Sequence, residues 1–337
     1  MLNKAVIDLN LLVKNALEVK SKLNKGVKFC AVVKADAYGH GAGVVANALY
    51  PYVDCFAVAL LEEAITLRNA GIDKEILCLT PFFDSETERG VAYNITATVF
   101  DAKQVLVLSA AAEKLGKIAR LHLKFNAGMN RLGVDLKTLA ELLVLIKGCK
   151  NLQLSGMYAH FSAPENKKSL KTQLNKFLLA NNLVKGYNSN AICHISASGG
   201  FLSGVQADMV RIGILLYGYK PFESDLLSVN PIMRVYAPVL TERKVEKGQT
   251  VLYGNHELIT DDCFSLIRYG YADGLSRRQV DGQINNRCMD ITAVKGCNKG
   301  LWQPVMVNAD DIAKKYDTIN YEILSKCAQR AEKIYVR

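Results

Sequence analysis

The chain has 337 residues, of which 50% are hydrophobic, a content that excludes global disorder and allows one barrel with an appendage or two domains. No apolar run approaches the ~18 residues of a membrane span, and Lys4 and Asp8 interrupt the N-terminus where a signal peptide would be apolar. The net charge is +10, but the basic residues are scattered, which predicts a solvated surface rather than a nucleic-acid site. We therefore expect a cytoplasmic protein that binds neither membrane nor nucleic acid.

The nine cysteines form no recognisable framework. Their number is odd, no two are spaced as C-x-x-C, and several lie within apolar runs. This pattern predicts small buried hydrophobic side chains in a reducing compartment rather than disulfides or a zinc site. His122 and His194 also lack metal-ligand partners at a suitable spacing, so we expect them to pack or hydrogen-bond, and we expect no metal site.

Short apolar runs with helical stretches between them occupy the first part of the chain. Eight such runs are candidate strands: Lys28–Val33, Cys55–Ala59, Ile76–Leu79, Ile95–Phe100, Ile118–Phe125, Leu152–His160, Ile192–Ala197 and Val210–Leu216. Alternating strands and helices imply parallel pairing, and eight such units predict a (β/α)8 TIM barrel over residues 1–225. A doubly wound open sheet is the alternative, but the glycines of Gly39–Val44 are wrongly spaced for a dinucleotide fingerprint.

The pattern of the sequence changes after about Pro221. Short strand-like segments follow, with turn residues between them: Ile232–Leu240, Gln249–Tyr253, Cys263–Tyr269 and Gln303–Asn308. Helical periodicity returns only at Tyr321–Ile334. We therefore predict a smaller, mainly antiparallel β domain over residues 226–337, while the short alternation in Met1–Leu9 is compatible with either domain.

The segment Phe29–Gly41 is the most informative part of the chain. The run Phe29–Val33 is typical of a buried strand, and Lys34 follows at its end, before a polar, glycine-rich turn. A lysine in a partly apolar pocket loses affinity for its proton and becomes a nucleophilic amine, as a Schiff-base lysine requires. The alternative is a lysine that extends its amine from the strand end into solvent.

In a (β/α)8 barrel, chemistry is located at the C-terminal ends of the strands. Besides Lys34, those positions carry further polar or small residues: Lys124, Arg131, His160, Ser198, Arg211 and Gly213. The loops after strands seven and eight are a common phosphate site in barrels, and here they contain Ser196–Gly200 and Arg211–Ile214, whose hydroxyls and backbone N–H groups suit a phosphate. A reactive lysine and a phosphate site on one rim predict pyridoxal phosphate (PLP) as the cofactor.

Several segments, in order along nearly the whole chain, resemble the sequence blocks of the alanine racemase family. These segments are Ala31–Gly41, Lys124–Gly133, Gly156–Phe161, Arg211–Gly218, Gly270–Gly274, Cys288–Asp290 and Thr318–Glu322. Together they are specific to that family, although no single segment is decisive. The resemblance implies a homodimeric, PLP-dependent racemase that interconverts L-alanine and D-alanine and supplies D-alanine for peptidoglycan.

The resemblance also implies two bases on opposite faces of the substrate α-carbon, so that a proton leaves one face and returns to the other. Lys34 would form the internal aldimine with PLP and then act as one base. Tyr271, from the β domain of the partner chain, would be the other base, supported by a chain of His160 and Arg211.

Cofactor contacts follow from the same resemblance. Arg211 would face the pyridine nitrogen, which stays unprotonated because a guanidinium can only donate hydrogen bonds. His160 would also stack on the cofactor ring. The phosphate would be held by side chains and backbone groups of five residues: Tyr38, Ser198, Tyr321, Gly213 and Ile214.

Substrate contacts are implied in the same way. Arg131 would meet the substrate carboxylate, with the backbone N–H of Met289 from the partner chain nearby. Lys124 matches a lysine that is carbamylated in the family, where the modified side chain orients the arginine. Without that modification, Lys124 would repel Arg131 at close range.

Four segments depart from the family pattern and leave substrate breadth and interface detail open: Asn126–Ala127, Ala197, Ile291–Lys295 and Ala328–Ala331. The alternatives to an alanine racemase are a racemase for serine or for a broad set of amino acids, a non-catalytic PLP carrier, and a barrel-fold decarboxylase. The additional β domain with Gly270–Gly274 argues against a carrier, and Arg211 at the ring nitrogen argues against a decarboxylase.

Overall fold

The computed structural model describes residues 1–253, 257–277, 287–297 and 300–337. Contacts within the chain divide it into two units. The barrel unit comprises Leu12–Ala35 and Ala42–Asn230, and the sheet unit comprises Met1–Leu11, Asp36–Gly41 and Pro231–Arg337. The sheet unit therefore takes three separate parts of the chain, whereas the sequence prediction has one boundary between residues 225 and 226.

Strands and helices alternate through most of the chain. The strands are β1 (Asn3–Asp8), β2 (Lys28–Val32), β3 (Cys55–Val58), β4 (Ile76–Cys78), β5 (Ala97–Val99), β6 (Ala119–Lys124), β7 (Leu152–Tyr158), β8 (Ile192–His194), β9 (Met209–Ile212), β10 (Met233–Val245), β11 (Asp262–Ile267), β12 (Thr292–Lys295), β13 (Trp302–Met306) and β14 (Ala331–Val336). The helices are α1 (Leu9–Ser21), α2 (Lys34–Tyr38), α3 (Ala42–Leu49), α4 (Leu61–Asn69), α5 (Asp84–Ala92), α6 (Ala102–Lys114), α7 (Leu136–Gly148), α8 (Lys167–Tyr187), α9 (Ser198–Leu202), α10 (Ala309–Tyr316) and α11 (Asn320–Cys327). Within the described ranges, none of these helices has the length and apolarity needed to cross a membrane.

Eight parallel strands form the barrel unit. They pair in two runs of four, β4-β3-β2-β9 and β5-β6-β7-β8. Isolated parallel bridges join the two runs at both seams, one between Leu77 and Thr96 and the other between Ala197 and Arg211. This ring of strands alternating with helices confirms the predicted (β/α)8 barrel, and each strand overlaps the apolar run that predicts it.

Burial on both faces explains why the barrel strands are continuous apolar runs rather than alternating ones. Every residue of β3, β4 and β5 is buried. The outer helices α6, α7 and α8 begin at side-chain caps, where Asp101, Asp135 and Asn166 each accept a backbone hydrogen bond from the first turn. Parallel pairing brings the C-terminal ends of all eight strands to one rim.

The sheet unit contains a six-stranded, mainly antiparallel sheet. Its order is β12-β11-β10-β1-β14, with β13 also paired to β10. Strand β1 pairs antiparallel with β10 and parallel with β14. The N-terminal segment that is compatible with either domain is therefore a central strand of this sheet.

Part of the secondary structure of the sheet unit differs from the sequence prediction. The helical pattern over Tyr321–Ile334 is realised only in α11; its second half enters β14, because six consecutive backbone positions there pair in register with β1. Helix α10 is not predicted by the sequence pattern. The segment Gln249–Tyr253 is not a strand, and within it only Thr250 forms a bridge, to Glu257.

The cysteines need one correction. Cys263 and Cys297 form a disulfide in the sheet unit, with 5.6 Å between their Cα atoms, whereas the sequence predicts no disulfide. Spacing in the sequence does not reveal this pair, because strand pairing in the folded sheet unit brings its two half-buried members together. The other seven cysteines are free, and five of them are buried, as the sequence predicts.

Candidate active site

Lys34 follows β2 directly at the C-terminal rim of the barrel and is half-buried. The next four residues, Ala35 to Tyr38, form a left-handed turn, with φ between 51° and 54°. Left-handed backbone costs an L-residue roughly 1–2 kcal/mol, so such a turn requires support from other groups. At its start, the Ala35 N–H donates a 2.5 Å hydrogen bond to Glu63 Oε1. This contact fixes the direction in which the chain leaves Lys34.

Several charges act on the Lys34 amine. Burial lowers its pKa, the charge of Arg131 lowers that pKa further, and Glu63 acts in the opposite direction. The Glu63 carboxylate is itself held in place, since Oε2 accepts hydrogen bonds from the backbone N–H groups of Ala59 at 2.8 Å and Leu60 at 3.0 Å. A lowered pKa increases the fraction of neutral amine near pH 7, which is the form that attacks a carbonyl carbon.

Arg211 lies on β9 inside the barrel, with only 3% of its surface exposed. Its Nη2 donates to the carbonyl oxygens of Ala159 at 2.8 Å and Ile195 at 3.0 Å, and lies 3.3 Å from His160 Nδ1. Its Nη1 is hydrogen-bonded to His194 Nδ1. Burial lowers the pKa of Arg211 to about 10, so the guanidinium stays charged at neutral pH. The rim therefore contains a fixed cation with several of its donors already assigned.

Lys124, the last residue of β6, is buried beside an aromatic ring. Its Nζ lies 4.0 Å from the centroid of the Tyr158 ring. Burial, followed by the charges of Arg211 and Arg131, lowers the pKa of Lys124 well below its ordinary value. The neutral amine is therefore favoured, and only a neutral amine can add to carbon dioxide, so this environment suits the carbamylation that the family resemblance implies.

His160 lies two residues beyond β7 and is half-buried. Burial and then neighbouring positive charges lower its pKa well below its ordinary value, so the imidazole is neutral at pH 7. The charges come from four basic side chains: Arg211, Lys124, Arg131 and Lys34. Such an excess of positive charge favours the binding of anions, including a phosphate ester and an α-carboxylate.

Asn126 organises the loop that carries Arg131, although the family pattern has an aspartate there. Its Oδ1 accepts hydrogen bonds from the N–H groups of Gly128 at 3.1 Å and Asn130 at 3.0 Å, and its amide donates to Asn130 Oδ1 at 2.9 Å. The neighbouring departure, Ala127, packs into the apolar barrel core. The loop is therefore ordered with these residues, while nothing in the structure explains Ala197.

Ser198, the first residue of α9, and Gly213, which follows β9, are buried and lie in contact with each other. The Gly213 N–H donates to Ser198 Oγ at 3.2 Å, and Ile214 begins a 3-10 helix directly afterwards. A Cβ atom on Gly200 would lie 2.7 Å from Ser196 Oγ, so glycine is required for this approach. Ser196 Oγ itself is buried with no hydrogen-bond partner in the described part of the chain. Hydroxyl and N–H donors at a glycine-lined turn fit a phosphate group.

The sheet unit carries Tyr271 and Met289 on two adjoining backbone segments. The Tyr271 N–H donates to the Cys288 carbonyl at 3.1 Å, and the Ala272 N–H donates to the Met289 carbonyl at 3.0 Å. The side chains are open to solvent in the single chain, with 44% of Tyr271 and 56% of Met289 exposed. Backbone pairing therefore presents both residues together at the surface of this unit.

Asp273, which no sequence motif singles out, holds the Tyr271 turn in place. The Asp273 carboxylate is 4% exposed and accepts hydrogen bonds from the Gly270 N–H at 2.8 Å and the Asn3 amide at 3.1 Å. Arg330 lies 3.7 Å from the same carboxylate and 2.8 Å from that of Asp290, beside Met289. Charge and hydrogen bonds thus tie the Tyr271 turn to the C-terminal segment.

Tyr38 and Tyr321 also belong to the sheet unit. Their ring centroids lie 5.9 Å apart, at an interplanar angle of 55°. Gly39, with φ of +83°, lets the turn approach α11, since a Cβ there would lie 2.5 Å from the Leu324 carbonyl oxygen. Burial raises the pKa of Tyr321 to about 12, so its hydroxyl remains a proton donor at neutral pH.

The structure thus brings the predicted residues together in groups. In the barrel unit, Lys34, Lys124, Arg131, His160 and Arg211 act on one another electrostatically. Ser198 is hydrogen-bonded to Gly213, and Ile214 follows Gly213 directly. In the sheet unit, Tyr38 pairs with Tyr321, and Tyr271 lies beside Met289. Glu63 and Asp273 are not predicted from the sequence. Each accepts a hydrogen bond from the backbone N–H three residues earlier, as in a helix capping box. This sequence pattern is too common to indicate a functional site.

Comparison with known proteins tests the resemblance. The family model described as "Alanine racemase, N-terminal domain" matches residues 7–221, and "Alanine racemase, C-terminal domain" matches residues 232–335. The chain belongs to the alanine racemase family. This family depends on PLP, and membership makes the chain a racemase, an enzyme of the isomerase class.

Relatives in the alanine racemase family match over their full length. An alanine racemase from Treponema denticola is 34% identical, covering 99% of this chain and 98% of the relative. One from Desulfovibrio desulfuricans is 34% identical, covering 98% and 97%. The solved structure of alanine racemase from Clostridium difficile 630 superposes with a TM-score of 0.93 at 31% identity, covering 100% of this chain and 96% of that one. The alanine racemase of Bacillus anthracis, solved with bound L-Ala-P, gives a TM-score of 0.90 at 27% identity, covering 99% and 95%.

Proposed function

We propose that this chain interconverts L-alanine and D-alanine, using PLP bound through Lys34. The observation that carries the proposal is the cationic rim, where a half-buried lysine of lowered pKa lies among three further basic side chains. The buried hydroxyl of Ser198 and the N–H of Gly213, which contact each other, supply further polar groups. That donor set fits an aldehyde cofactor with a phosphate. Full-length similarity to alanine racemases supports alanine as the substrate.

When bound through the Lys34 amine, PLP withdraws electrons from the substrate α-carbon and so makes its C–H bond acidic. In the proposed site, the Arg211 guanidinium would face the ring nitrogen and donate to it, and His160 would stack on the ring. The residues with suitable donors would hold the phosphate: Ser198, Gly213, Ile214, Tyr38 and Tyr321. Since a guanidinium does not give up its proton, Arg211 would leave the ring nitrogen unprotonated and so suppress side reactions.

The two proton-transfer groups are Lys34 on one face of the α-carbon and Tyr271 of a second chain on the other. Lys34 Nζ accepts or returns a proton readily because burial and the charge of Arg131 disfavour its ammonium form. Tyr271 is solvent-exposed in the single chain, and enclosure by a partner would exclude water from it. The proposal therefore requires a homodimer with shared sites.

Substrate orientation falls to groups around the same rim. Arg131 binds the α-carboxylate, together with the backbone N–H of Met289 from the second chain. Lys124, as a carbamate, would carry a negative charge next to Arg131 and orient its guanidinium. We further propose a cytoplasmic enzyme that supplies D-alanine for peptidoglycan.

A chiral chromatographic screen of L-amino acids tests the proposal. Purified protein supplied with PLP should convert L-alanine to a racemic mixture faster than L-serine or any other amino acid, and the bound cofactor should give a visible absorbance that borohydride abolishes. The Lys34→Ala variant is the control and should lack both properties. Faster turnover of serine would replace alanine as the substrate, and an absence of turnover would contradict the racemase proposal.

A further inference from the structure

A row of polar side chains, all buried except the partly exposed Glu75, runs through the barrel from Arg211 toward the opposite end of the strands. His194 Nδ1 is hydrogen-bonded to Arg211, and His194 Nε2 lies 3.0 Å from His122 Nδ1. His122 Nε2 faces Glu75 Oε1 at 3.8 Å, and the Thr96 hydroxyl donates to that same oxygen at 2.9 Å. These residues come from or adjoin five different strands, so the barrel topology itself assembles the row.

The backbone is shaped to accommodate His122. The pairing of β6 with β7 shifts register between Leu121 and His122, so that Leu121 lies opposite Leu154 and His122 opposite Gly156. A Cβ atom on Gly156 would lie 2.7 Å from His122 Nε2. A bulge that re-aims a side chain, combined with a glycine that makes room for it, indicates a specific position rather than a chance polar residue in the core.

Only one arrangement of protons satisfies this row. A guanidinium has donors and no acceptor, so His194 Nδ1 must carry a lone pair. A neutral His194 then has its proton on Nε2 and donates to His122 Nδ1. His122 in turn has its proton on Nε2, directed toward the Glu75 carboxylate. Burial keeps both rings neutral, since it lowers the pKa of His122 to about 4 and that of His194 well below its ordinary value.

The His194 ring is also fixed in orientation. It stacks on the Tyr158 ring with 5.3 Å between centroids and 8° between planes. Stacking fixes the plane of the His194 ring, and the hydrogen bond to His122 fixes its proton on Nε2. His194 Nδ1 therefore accepts a hydrogen bond from Arg211 in one direction only. The guanidinium is thereby held through Nη1, while Nη2 donates to the carbonyl oxygens of Ala159 and Ile195.

We propose that His122 and Glu75 are positioning residues: through His194 they fix the orientation and the charge of Arg211 toward the cofactor ring nitrogen. The negative charge of Glu75, 3.8 Å from His122 Nε2, polarises the His122 and His194 rings and makes each a better acceptor, which favours the fully protonated guanidinium. This inference rests on the proposed function, because Arg211 is useful in this way only if PLP binds there. It predicts that a residue distant from the rim controls how the cofactor reacts.

The test compares three variants of the full-length protein. His122→Phe keeps an aromatic ring but removes the acceptor, and His122→Asn keeps an acceptor near the position of Nδ1. Met209→Leu is the matched control, because Met209 lines the same cavity as His122 and Glu75 without joining the row. If His122→Phe does not fold, Glu75→Gln takes its place. It should change both readouts described below in the same direction as His122→Phe, but by less.

The first readout needs no cofactor. In protein labelled with ¹⁵N-histidine, which has only five histidines to assign, His194 and His122 should both be protonated at Nε2, with the His194 proton protected from solvent exchange. His122→Phe should abolish that protection, while His122→Asn and Met209→Leu should retain it. A His194 protonated at Nδ1, or unchanged protection in His122→Phe, would overturn the proposed row.

The second readout uses the PLP-loaded protein and measures the ratio of transamination to racemisation. His122→Phe should raise that ratio about tenfold, comparable to the lower end for outer hydrogen-bond partners at metal sites, and His122→Asn should restore it. An equal rise in Met209→Leu would reduce His122 to a packing residue. Failure of the wild-type protein to racemise alanine would instead contradict the proposed function. The histidine protonation states would still show whether the proposed row of hydrogen bonds exists.

Discussion

The barrel rim and the Tyr271 turn hold reactive side chains in opposite ways. At the rim, Lys34, Lys124 and His160 are buried to different degrees among one another and among arginines, and each has its pKa lowered as a result. In the turn, the backbone is fixed by hydrogen bonds while the Tyr271 side chain remains 44% exposed. The lowered pKa values at the rim thus arise within one chain, whereas the proposed role of Tyr271 would require a partner chain to enclose its side chain.

Under the proposed function, this difference divides one active site between two chains. Anionic groups of the cofactor and substrate would compensate the charge of the basic cluster at the rim, whose side chains repel one another. A tyrosine on an exposed turn costs little stability in the single chain and would become functional only on assembly.

The largest effect is expected from Lys34→Ala. Removal of the amine eliminates both covalent attachment of the cofactor and one proton-transfer group, so racemisation should fall by about 10⁴-fold or more. Visible absorbance and chiral chromatography measure the two losses. The exposed Lys22→Ala is the control and should behave as wild type; residual absorbance that borohydride abolishes in Lys34→Ala would place the attachment on another lysine.

Tyr271→Phe should affect the two enantiomers unequally. Without the phenol, α-proton removal should slow by ~10²–10⁴-fold for one enantiomer and much less for the other. Mass spectrometry of deuterium incorporation from D₂O into L-alanine and into D-alanine measures the rate of α-proton removal for each enantiomer separately. Tyr253→Phe, at a tyrosine 74% exposed in the same unit, is the control. Equal losses for both enantiomers would refute the assignment of one base to each face.

Asp273→Asn tests whether the Tyr271 turn is held by its buried carboxylate. The variant keeps the size of the side chain but loses the charge that holds the Gly270 N–H and faces Arg330. We expect a loss of ~1–3 kcal/mol in the free energy of unfolding, measured in urea, and reduced racemisation with cofactor absorbance retained. Asp290→Asn, whose side chain is 55% exposed, should cost less than ~1 kcal/mol. Equal costs for the two variants would remove the special role of Asp273.

The smallest effects concern pH and compare one buried histidine in each unit. Burial lowers the pKa of His40 in the sheet unit and of His122 in the barrel unit from 6.5 to about 4. Between these pH values the unfolded chain binds protons that the folded chain does not. The contribution of each histidine to the free energy of unfolding is therefore complete above pH 6.5 and is lost as the pH falls toward 4. Each histidine should lower the free energy of unfolding by about 2 kcal/mol from pH 7 to pH 5. Urea unfolding of His40→Gln and His122→Gln should show a shallower pH dependence, and unchanged slopes would contradict the burial argument.

Local signals in the sequence account for the barrel and much of its rim. Continuous apolar runs predict the eight barrel strands because each strand is buried on both faces, and the residues that follow those runs necessarily share one rim. Lys34 is predictable for that reason, whereas Arg211 is recognisable as a charged residue within the apolar run of β9. The left-handed turn at Ala35–Tyr38 is not, since no glycine marks it before Gly39.

Distant pairing explains what local signals miss. Residues 331–336 form a strand only because β1, at the other end of the chain, provides its partner, and this pairing overrides a local helical pattern. The Cys263–Cys297 pair and the contact of Asp273 with Asn3 are of the same kind. His122 is readable as a polar residue in an apolar strand, but its place in a row with Glu75 depends on the closed barrel.

Complementation between inactive chains tests the shared site most directly. Lys34→Ala and Tyr271→Phe chains, unfolded together and refolded in equal amounts, should recover about a quarter of wild-type racemisation, because half of the dimers are mixed and each mixed dimer holds one intact site. Each variant refolded alone should remain inactive. An active mixture would support a site built from Lys34 of one chain and Tyr271 of the other. A mixture as inactive as its components, with mixed dimers demonstrated by mass spectrometry, would contradict that account.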